Sequence, residues 1–219
     1  ESFRLGIFGN AGQNLYVSKA GVLQRIHQFD LNRDGYLDLV FCNDHPHREQ
    51  APVFIYTDPL NNLDRLEVPS DGSRAGVLAD LNGDGYEDLV LGMFQNGERF
   101  DLNALIYYGS VNGFSEKRQQ FLPAPHCVSV AVGDFNGDGR PDIAFLCHRM
   151  KIWSDGNYNP FKDTPVEPVL QVFYQGELGF EMKRFVEIPI EGDHVSAHDL
   201  DSDGFVDLVV RSGDGEVRV

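Results

Sequence analysis

One nine-residue acidic motif occurs four times in this 219-residue chain and constrains its fold more than any other feature. The copies are DLNRDGYLD at 30–38, DLNGDGYED at 80–88, DFNGDGRPD at 134–142 and DLDSDGFVD at 199–207. Successive copies begin 50, 54 and 65 residues apart. Such repetition predicts one repetitive domain over residues 1–219.

Each copy reads Asp-x-Asx-x-Asp-Gly-x-x-Asp, which puts side-chain oxygens at positions 1, 3, 5 and 9 and a turn-permitting Gly at position 6. Calcium accepts about six to eight oxygens in loose geometry, so these side chains, a backbone carbonyl at position 7 and water would fill its shell. We expect up to four structural calcium ions, because the motif lacks the His ligands and open positions of hydrolytic metal sites. The predicted ligands are Asp30, Asn32, Asp34, Tyr36 and Asp38 in copy one, Asp80, Asn82, Asp84, Tyr86 and Asp88 in copy two, Asp134, Asn136, Asp138, Arg140 and Asp142 in copy three, and Asp199, Asp201, Asp203, Phe205 and Asp207 in copy four.

The alternative is an EF-hand, whose loop starts in the same way but needs a bidentate Glu at position 12 and flanking helices. Position 12 is apolar in every copy, and the flanking runs YLDLVF, YEDLVLGM, PDIAFL and FVDLVV are short, β-branched and aromatic. Each loop is therefore predicted to be the turn of a β-hairpin, with its last Asp already on the outgoing strand.

Incoming strands are predicted at LQRIHQF, AGVLA, VSVAVG and HVSAH, and further strands follow in runs such as PVFIYTD and RFVEIPI. Four strands per unit without helix signals predict an all-β fold, a β-propeller of four-stranded antiparallel blades. The first 25 residues are predicted as outer strands that close the ring by pairing; alternatively, and preferred here, the chain is part of a seven- or eight-bladed propeller.

These motifs resemble the FG-GAP or VCBS repeats found in integrin α-subunit propellers and in secreted bacterial proteins, over nearly the whole chain. The resemblance implies calcium ligands at Asp30, Asn32, Asp34 and Asp38 and at their equivalents in the other copies. The integrin-type Gly-Ala-Pro after the outgoing strand is replaced here, for example by Cys42-Asn43-Asp44. This difference weakens an inference of integrin-like adhesion and favours the bacterial relatives.

Thirty-four acidic against 18 basic residues give a net charge of -16, which argues against nucleic-acid binding. We expect no membrane insertion, because no apolar run reaches the roughly 18 residues that span a bilayer. Three cysteines cannot all pair internally, and we expect buried thiols. Extracellular calcium modules bind weakly and would be empty in the cytosol, so a secreted, extracellular, periplasmic or cell-surface location is predicted.

The ends of the strands opposite the acidic loops are predicted to carry basic and aromatic residues on one face. They include His45, His47, Arg74, Phe94, His126, His148, Arg149 and His194. A long loop in copy three adds Trp153, Tyr158 and Phe161, whose rings suit a sugar, although packing over a blade edge explains them equally well.

Two functions are compatible with this face. The first is a non-catalytic module that binds a glycan or an extracellular protein, with Trp153 and Tyr158 as candidate ligand contacts. The second is a polysaccharide lyase acting by β-elimination on uronic-acid glycans, which needs a cation and a general base. The candidate catalytic residues are His47, Arg74, His126, His148, Arg149 and His194.

Overall fold

The computed structural model is built from β-strands. It describes residues 7–9, 15–17, 23–29, 38–43, 52–57, 65–96, 99, 101–150, 166–212 and 215–219, with backbone alone before Val40 and at positions 149, 150 and 166. Within these ranges the helical structure is a single 3-10 turn at Glu116–Arg118. The all-β prediction is confirmed.

The strands form four antiparallel sheets, which follow the four sequence repeats. The first sheet contains β1 (Ile7–Gly9), β2 (Leu15–Val17), β3 (Leu23–Phe29), β4 (Asp38–Asn43), β5 (Val53–Tyr56) and β6 (Leu66–Val68). The second contains β7 (Ser73–Ala79), β8 (Asp88–Met93), β9 (Ala104–Tyr107) and β10 (Gln119–Leu122). The third contains β11 (Cys127–Gly133), β12 (Asp142–Met150), β13 (Val166–Phe173) and β14 (Phe185–Pro189). The fourth contains β15 (His194–His198), β16 (Asp207–Arg211) and β17 (Val217–Arg218).

In each unit the acidic motif joins an incoming strand to its antiparallel neighbour, as predicted. The ninth residue of each motif is the first residue of the outgoing strand: Asp38 in β4, Asp88 in β8, Asp142 in β12 and Asp207 in β16. The incoming strands lie side by side, because β3 packs against β7, β7 against β11, and β11 against β15. In the second, third and fourth sheets the remaining strands follow in order beyond the outgoing strand, which is the arrangement of propeller blades.

Two details differ from the sequence prediction. β2 pairs with β3, so the first strands extend the inner edge of the first blade and are not outer strands. β12 continues to Met150, because it pairs with β13 along its length, and His148 and Arg149 therefore lie within a strand and not after it. Arg74 likewise lies inside β7.

The core lies between neighbouring blades, so both faces of the central strands are buried. In β12, Ile143 and Phe145 pack into the cluster shared with the second blade, whereas Ala144 and Leu146 pack into the cluster shared with the fourth. A third cluster, which includes Val40 and Leu89, joins the first and second blades. Burial of both faces explains why the outgoing strands are continuous apolar runs.

Candidate functional site

The first Asp of each described acidic loop accepts hydrogen bonds from backbone N–H groups across the turn. Asp80 accepts from the N–H of Asp84 at 3.2 Å and from that of Gly85 at 2.8 Å. The equivalent bond from the glycine at position 6 measures 2.7 Å to Asp134 and 3.0 Å to Asp199. The backbone of the turn is thereby held around the carboxylate of the first Asp.

The ninth residue fixes the other side of the loop. Oδ2 of Asp88 accepts from the N–H of Leu81 at 3.0 Å, and Oδ1 accepts from the N–H of Gly109, after β9, at 2.8 Å. In the third unit Asp142 accepts in the same way from Phe135 at 3.1 Å and from Gln175 at 2.9 Å. In the fourth unit Asp207 accepts from Leu200 at 3.0 Å.

Burial dominates the electrostatics of this ninth residue. Asp88 is fully buried, and this burial raises its pKa to about 6; the Asp84 and Asp80 carboxylates add to the shift, while the N–H groups of Gly109 and Leu81 oppose it. Burial also raises the pKa of Asp142. A bound cation would favour the ionised form of both groups.

The fourth loop shows most directly that the motif fits a hard divalent cation. Oxygens of Asp199, Asp201 and Asp207 lie within 4.8 Å of one another. Calcium–oxygen distances are about 2.3–2.6 Å, so two ligands of one ion lie at most about 5 Å apart. The donors are all carboxylate oxygens, which is the chemistry that calcium prefers.

In the three loops that the structure describes, the fifth residue is turned towards the backbone of the seventh. Oδ1 of Asp84 accepts from the N–H of Tyr86 at 2.9 Å, and the same contact joins Asp203 to Phe205 at 2.8 Å. In the third loop Asp138 accepts from the N–H of Arg140 at 3.0 Å and also from the Arg140 guanidinium at 2.5 Å. This guanidinium is an internal cation beside the third loop.

Oxygens of three predicted ligands thus converge in copy four, whereas in copies two and three hydrogen bonds across the turn place the predicted ligands around one loop. Of copy one, Asp30, Asn32, Asp34 and Tyr36 lie outside the described residues, and Asp38 is described by its backbone alone. The sequence analysis missed Gly109 and Gln175, whose N–H groups hold the ninth residue. A signal for both exists, because each follows a pair of aromatic residues at the end of the third strand of its blade.

Contacts between blades put the described loops at one end of the molecule. Gln175 donates from its side-chain Nε2 to the carbonyl of Leu81 in the second loop at 2.8 Å. The Phe205 ring of the fourth loop packs against Gly137 of the third. The other end of the same hairpins, where Ser73 pairs with Met93, is far along the strands from these loops.

At this other end, residues of three blades form a surface that we call the cationic end, defined by Arg74, Phe94, His126, His148 and His194. The Arg74 guanidinium lies over the Phe94 ring, 4.4 Å from its centroid. The Phe94 ring contacts the His126 ring on the next blade, with centroids 4.1 Å apart. An arginine held on an aromatic face keeps its charge while it is ordered.

The remaining members of the cationic end connect the third blade to the fourth. Nε2 of His148 lies 2.6 Å from the carbonyl oxygen of Gly192, so this nitrogen carries the proton. Nδ1 of His194 lies 3.3 Å from the Ser129 hydroxyl, and the His194 side chain is exposed. Four of the candidate catalytic residues predicted from the sequence thus lie at the cationic end: Arg74, His126, His148 and His194.

His126 has an unusual backbone. It is 2% exposed and has a φ of 59°, in the left-handed region that non-glycine residues rarely adopt. Gly72 occupies the equivalent position of the second blade and has a φ of 79°. The two positions correspond because the Gly72 carbonyl accepts from the N–H of Phe94 in the same way that the His126 carbonyl accepts from the N–H of His148. A histidine in the third blade thus stands where the second blade uses glycine.

Other candidates from the sequence are not placed by their side chains. His47, Trp153 and Tyr158 lie outside the described residues, and Arg149 is described only as a backbone position of β12. The catalytic and ligand roles of these residues stay predictions. No helix in the described ranges is long and apolar enough to cross a membrane.

Comparison with known proteins supports the repeat analysis. The family model described as an FG-GAP-like repeat matches residues 30–91 and 80–145, which together are more than half of the chain. Integrin alpha pat-2 of Caenorhabditis briggsae is 28% identical over 174 residues, covering 64% of this chain and 14% of the relative. The T-cell immunomodulatory protein homolog of Plasmodium falciparum is 21% identical over 238 residues, covering 89% of this chain and 32% of the relative.

The chain thus spans a third or less of the length of these two curated relatives. Both are eukaryotic proteins, so the preference for bacterial relatives stays a prediction.

Proposed function

This chain belongs to the family of FG-GAP-like repeats, and from that premise we propose that it is an extracellular binding module. In this proposal calcium stiffens the acidic loops, and a ligand binds at the cationic end. The observation that carries the proposal is the division of the hairpins into two chemically different ends: carboxylates at one, and Arg74, Phe94, His126 and His194 at the other.

Calcium is supported by the repetition of one carboxylate arrangement in three loops and by the spacing of Asp199, Asp201 and Asp207. Asp80 and Asp84 surround a buried Asp88, and carboxylates so close together repel one another without a cation. Four bound ions would bring the formal charge from -16 to -8.

The stabilisation expected from calcium is large on the scale of a domain. If each dissociation constant lies about tenfold below the ambient calcium concentration, each site contributes about 1.4 kcal/mol. Four such sites contribute about 6 kcal/mol, compared with a total stability of about 5–15 kcal/mol for an ordinary domain. The metal would supply positive charge, while the side chains supply the shape of each loop.

An extracellular location follows from the weak calcium affinity that is usual for extracellular modules, about 10⁻⁴ to 10⁻³ M. The similarity to an integrin alpha chain and to a T-cell immunomodulatory protein homolog points in the same direction. The similarity to these two proteins also favours a binding role over catalysis.

The cationic end suits a ligand with a carboxylate or another acidic group. Arg74 is ordered by its contact with Phe94, and His194 is exposed at the same end on the fourth blade. On a chain with a net charge of -16, the positive charge of Arg74 and the histidines that share its end would direct an acidic glycan or protein segment to that end.

The geometry supports a lyase less well. A general base must reach a proton of the substrate, but His126 is 2% exposed and His148 is hydrogen-bonded to the Gly192 carbonyl, which leaves His194 as the exposed candidate base among the histidines of the cationic end. We therefore favour binding without chemistry.

A binding screen tests this proposal. The immobilised protein is probed with an array of acidic and neutral glycans and with the extracellular protein fraction of the source cells, in millimolar calcium. We expect capture that is lost in Arg74→Gln/His194→Ala and retained in Arg118→Gln, which alters a cation near the acidic loops. Capture that survives the double substitution, or that the Arg118→Gln control loses, would overturn the assignment of the face.

A further inference from the structure

Cys127 and Cys147 are direct cross-strand partners in the antiparallel pair of β11 and β12. We propose that this pair forms a disulfide when the protein folds in an oxidising compartment, leaving Cys42 as a thiol. Both residues are fully buried, and both are thiols in this structure.

The pairing pattern puts the two side chains on the same face of the sheet. Val130 pairs with Phe145, and this pair belongs to the core cluster shared with the second blade; Ala131 pairs with Ala144 in the cluster shared with the fourth blade. Cys127 and Cys147 both belong to the former cluster. A register shift between Cys127 and Ser129 preserves this alternation.

The backbone around the pair has the geometry that a disulfide requires. The hydrogen bond from His148 N to His126 O, 3.0 Å long, spans the next pair along, as expected when Cys127 and Cys147 are a non-hydrogen-bonded pair. The Cα atoms of such pairs are about 4.5 Å apart, inside the range of about 4.4–6.8 Å found for disulfides. The backbone separation of such a pair is therefore compatible with a disulfide between the two side chains.

Cys42 is separated from this pair by the second blade. Its Sγ lies against Gly76 of β7, whereas the Sγ of Cys127 lies against Gly92 of β8. Cys42 belongs to the core cluster between the first and second blades, and the other two cysteines to the cluster between the second and third. The fold thus selects one pairing of the three that the sequence permits.

The reaction is a thiol–disulfide exchange. The Cys127 thiolate attacks an oxidised thiol–disulfide carrier such as glutathione disulfide, and the Cys147 thiolate then attacks the mixed disulfide. One S–S bond forms in the protein and one breaks in the carrier, which leaves as two thiols with the two protons and two electrons. Because both sulfurs are buried in the folded chain, the exchange belongs to the folding reaction.

The consequence concerns the third acidic loop. The bond would close the open end of the β11–β12 hairpin, whose other end is the loop at residues 134–142. The hairpin would then stay closed when calcium is removed. In the thiol form the same end is held by non-covalent contacts such as the backbone hydrogen bond from His148 N to His126 O, 3.0 Å long.

Disulfide mapping tests the proposal. The protein is refolded with reduced and oxidised glutathione, then denatured, alkylated with iodoacetamide and cleaved without reduction by a protease specific for Asp, which cuts between the two cysteines at Asp134, Asp138 and Asp142. We expect the peptides of Cys127 and Cys147 to be linked and Cys42 to be alkylated. Cys42→Ala should keep the link, and Cys147→Ala should leave Cys127 alkylated.

Alkylation of Cys127 and Cys147 in the refolded wild-type protein, or a link from either residue to Cys42, would overturn the proposal. The mapping is read on wild-type protein, so it does not depend on the folding of a variant. It is also independent of ligand and calcium binding.

Discussion

Gln175 donates a hydrogen bond of 2.8 Å from its side-chain Nε2 to the backbone carbonyl of Leu81, 94 residues earlier in the chain. The backbone N–H of Gln175 meanwhile binds Asp142, the ninth residue of the third acidic loop. A single buried residue therefore connects the third blade to the second acidic loop and holds its own loop as well. The second and third candidate metal sites are thus joined by hydrogen bonds through one residue.

Gln175→Leu should destabilise the fold by about 1–3 kcal/mol, because it leaves the buried Leu81 carbonyl without its donor while the Gln175 backbone bond remains possible. Denaturant unfolding in calcium would measure the loss. Glu177→Ala, an exposed change in the neighbouring turn, is the control and should shift stability by less than about 0.5 kcal/mol. Equal effects of the two variants would contradict this connection.

The ninth and first residues of the motif should respond differently to calcium. Both side-chain oxygens of the buried Asp88 accept hydrogen bonds from backbone N–H groups, so the NH₂ group of an asparagine at this position would face a donor. Asp88→Asn should therefore lower the free energy of unfolding by about 1–3 kcal/mol even in chelator. Asp201→Asn in the exposed fourth loop should instead be nearly neutral in chelator and should reduce the stabilisation by calcium.

Thermal unfolding of both variants, with calcium and with chelator, separates the two effects. A wild-type protein whose melting temperature does not respond to chelator would contradict calcium at these loops altogether. Asn at position 3 occurs naturally in the second and third loops, so the Asp201 variant preserves the fold of the motif.

The third loop should bind calcium more tightly when its internal cation is removed. The Arg140 guanidinium lies 2.5 Å from Oδ2 of Asp138, where it competes with an incoming ion. A partly exposed pair of this kind is worth about 0.2–1 kcal/mol, so Arg140→Gln should tighten binding at this loop by about 1.4-fold to fivefold. Isothermal titration with calcium measures the change. Arg99→Gln, which removes an ion pair with Asp101 outside the motifs, should leave the affinities unchanged.

Much of this architecture follows from the sequence, because the acidic motif fixes a hairpin and its register. The position of Asp88, Asp142 and Asp207 as the first residue of each outgoing strand follows directly from the apolar runs behind them. The contacts between blades could not be predicted in this way. Those of Gln175 with Leu81 and of Phe94 with His126 join residues that are distant in the chain and carry no periodic signal.

The sequence prediction made β12 too short and took the first strands for outer strands, for a related reason. Strand ends depend on whether a neighbouring strand supplies hydrogen bonds, and β13 continues alongside β12 as far as Met150. The apolar pattern ends earlier, at Cys147, because the next residue, His148, is bound to the Gly192 carbonyl at the cationic end and does not belong to the core. Hydrogen-bonded pairing of the strands therefore continues beyond the buried core, at the end of the fold that is proposed to bind the ligand.

Gly76→Ala should destabilise the junction of the first two blades by about 1–3 kcal/mol, because a Cβ at this position would lie 2.8 Å from the Cys42 Sγ and 3.2 Å from Cδ2 of Leu91. Cys42→Ala removes the sulfur and should recover part of the loss. A double-mutant cycle by denaturant unfolding would then give a coupling energy of about 0.5–3 kcal/mol. Strictly additive effects would mean that the two blades do not meet at this contact, and the radial packing of the incoming strands would need to be revised.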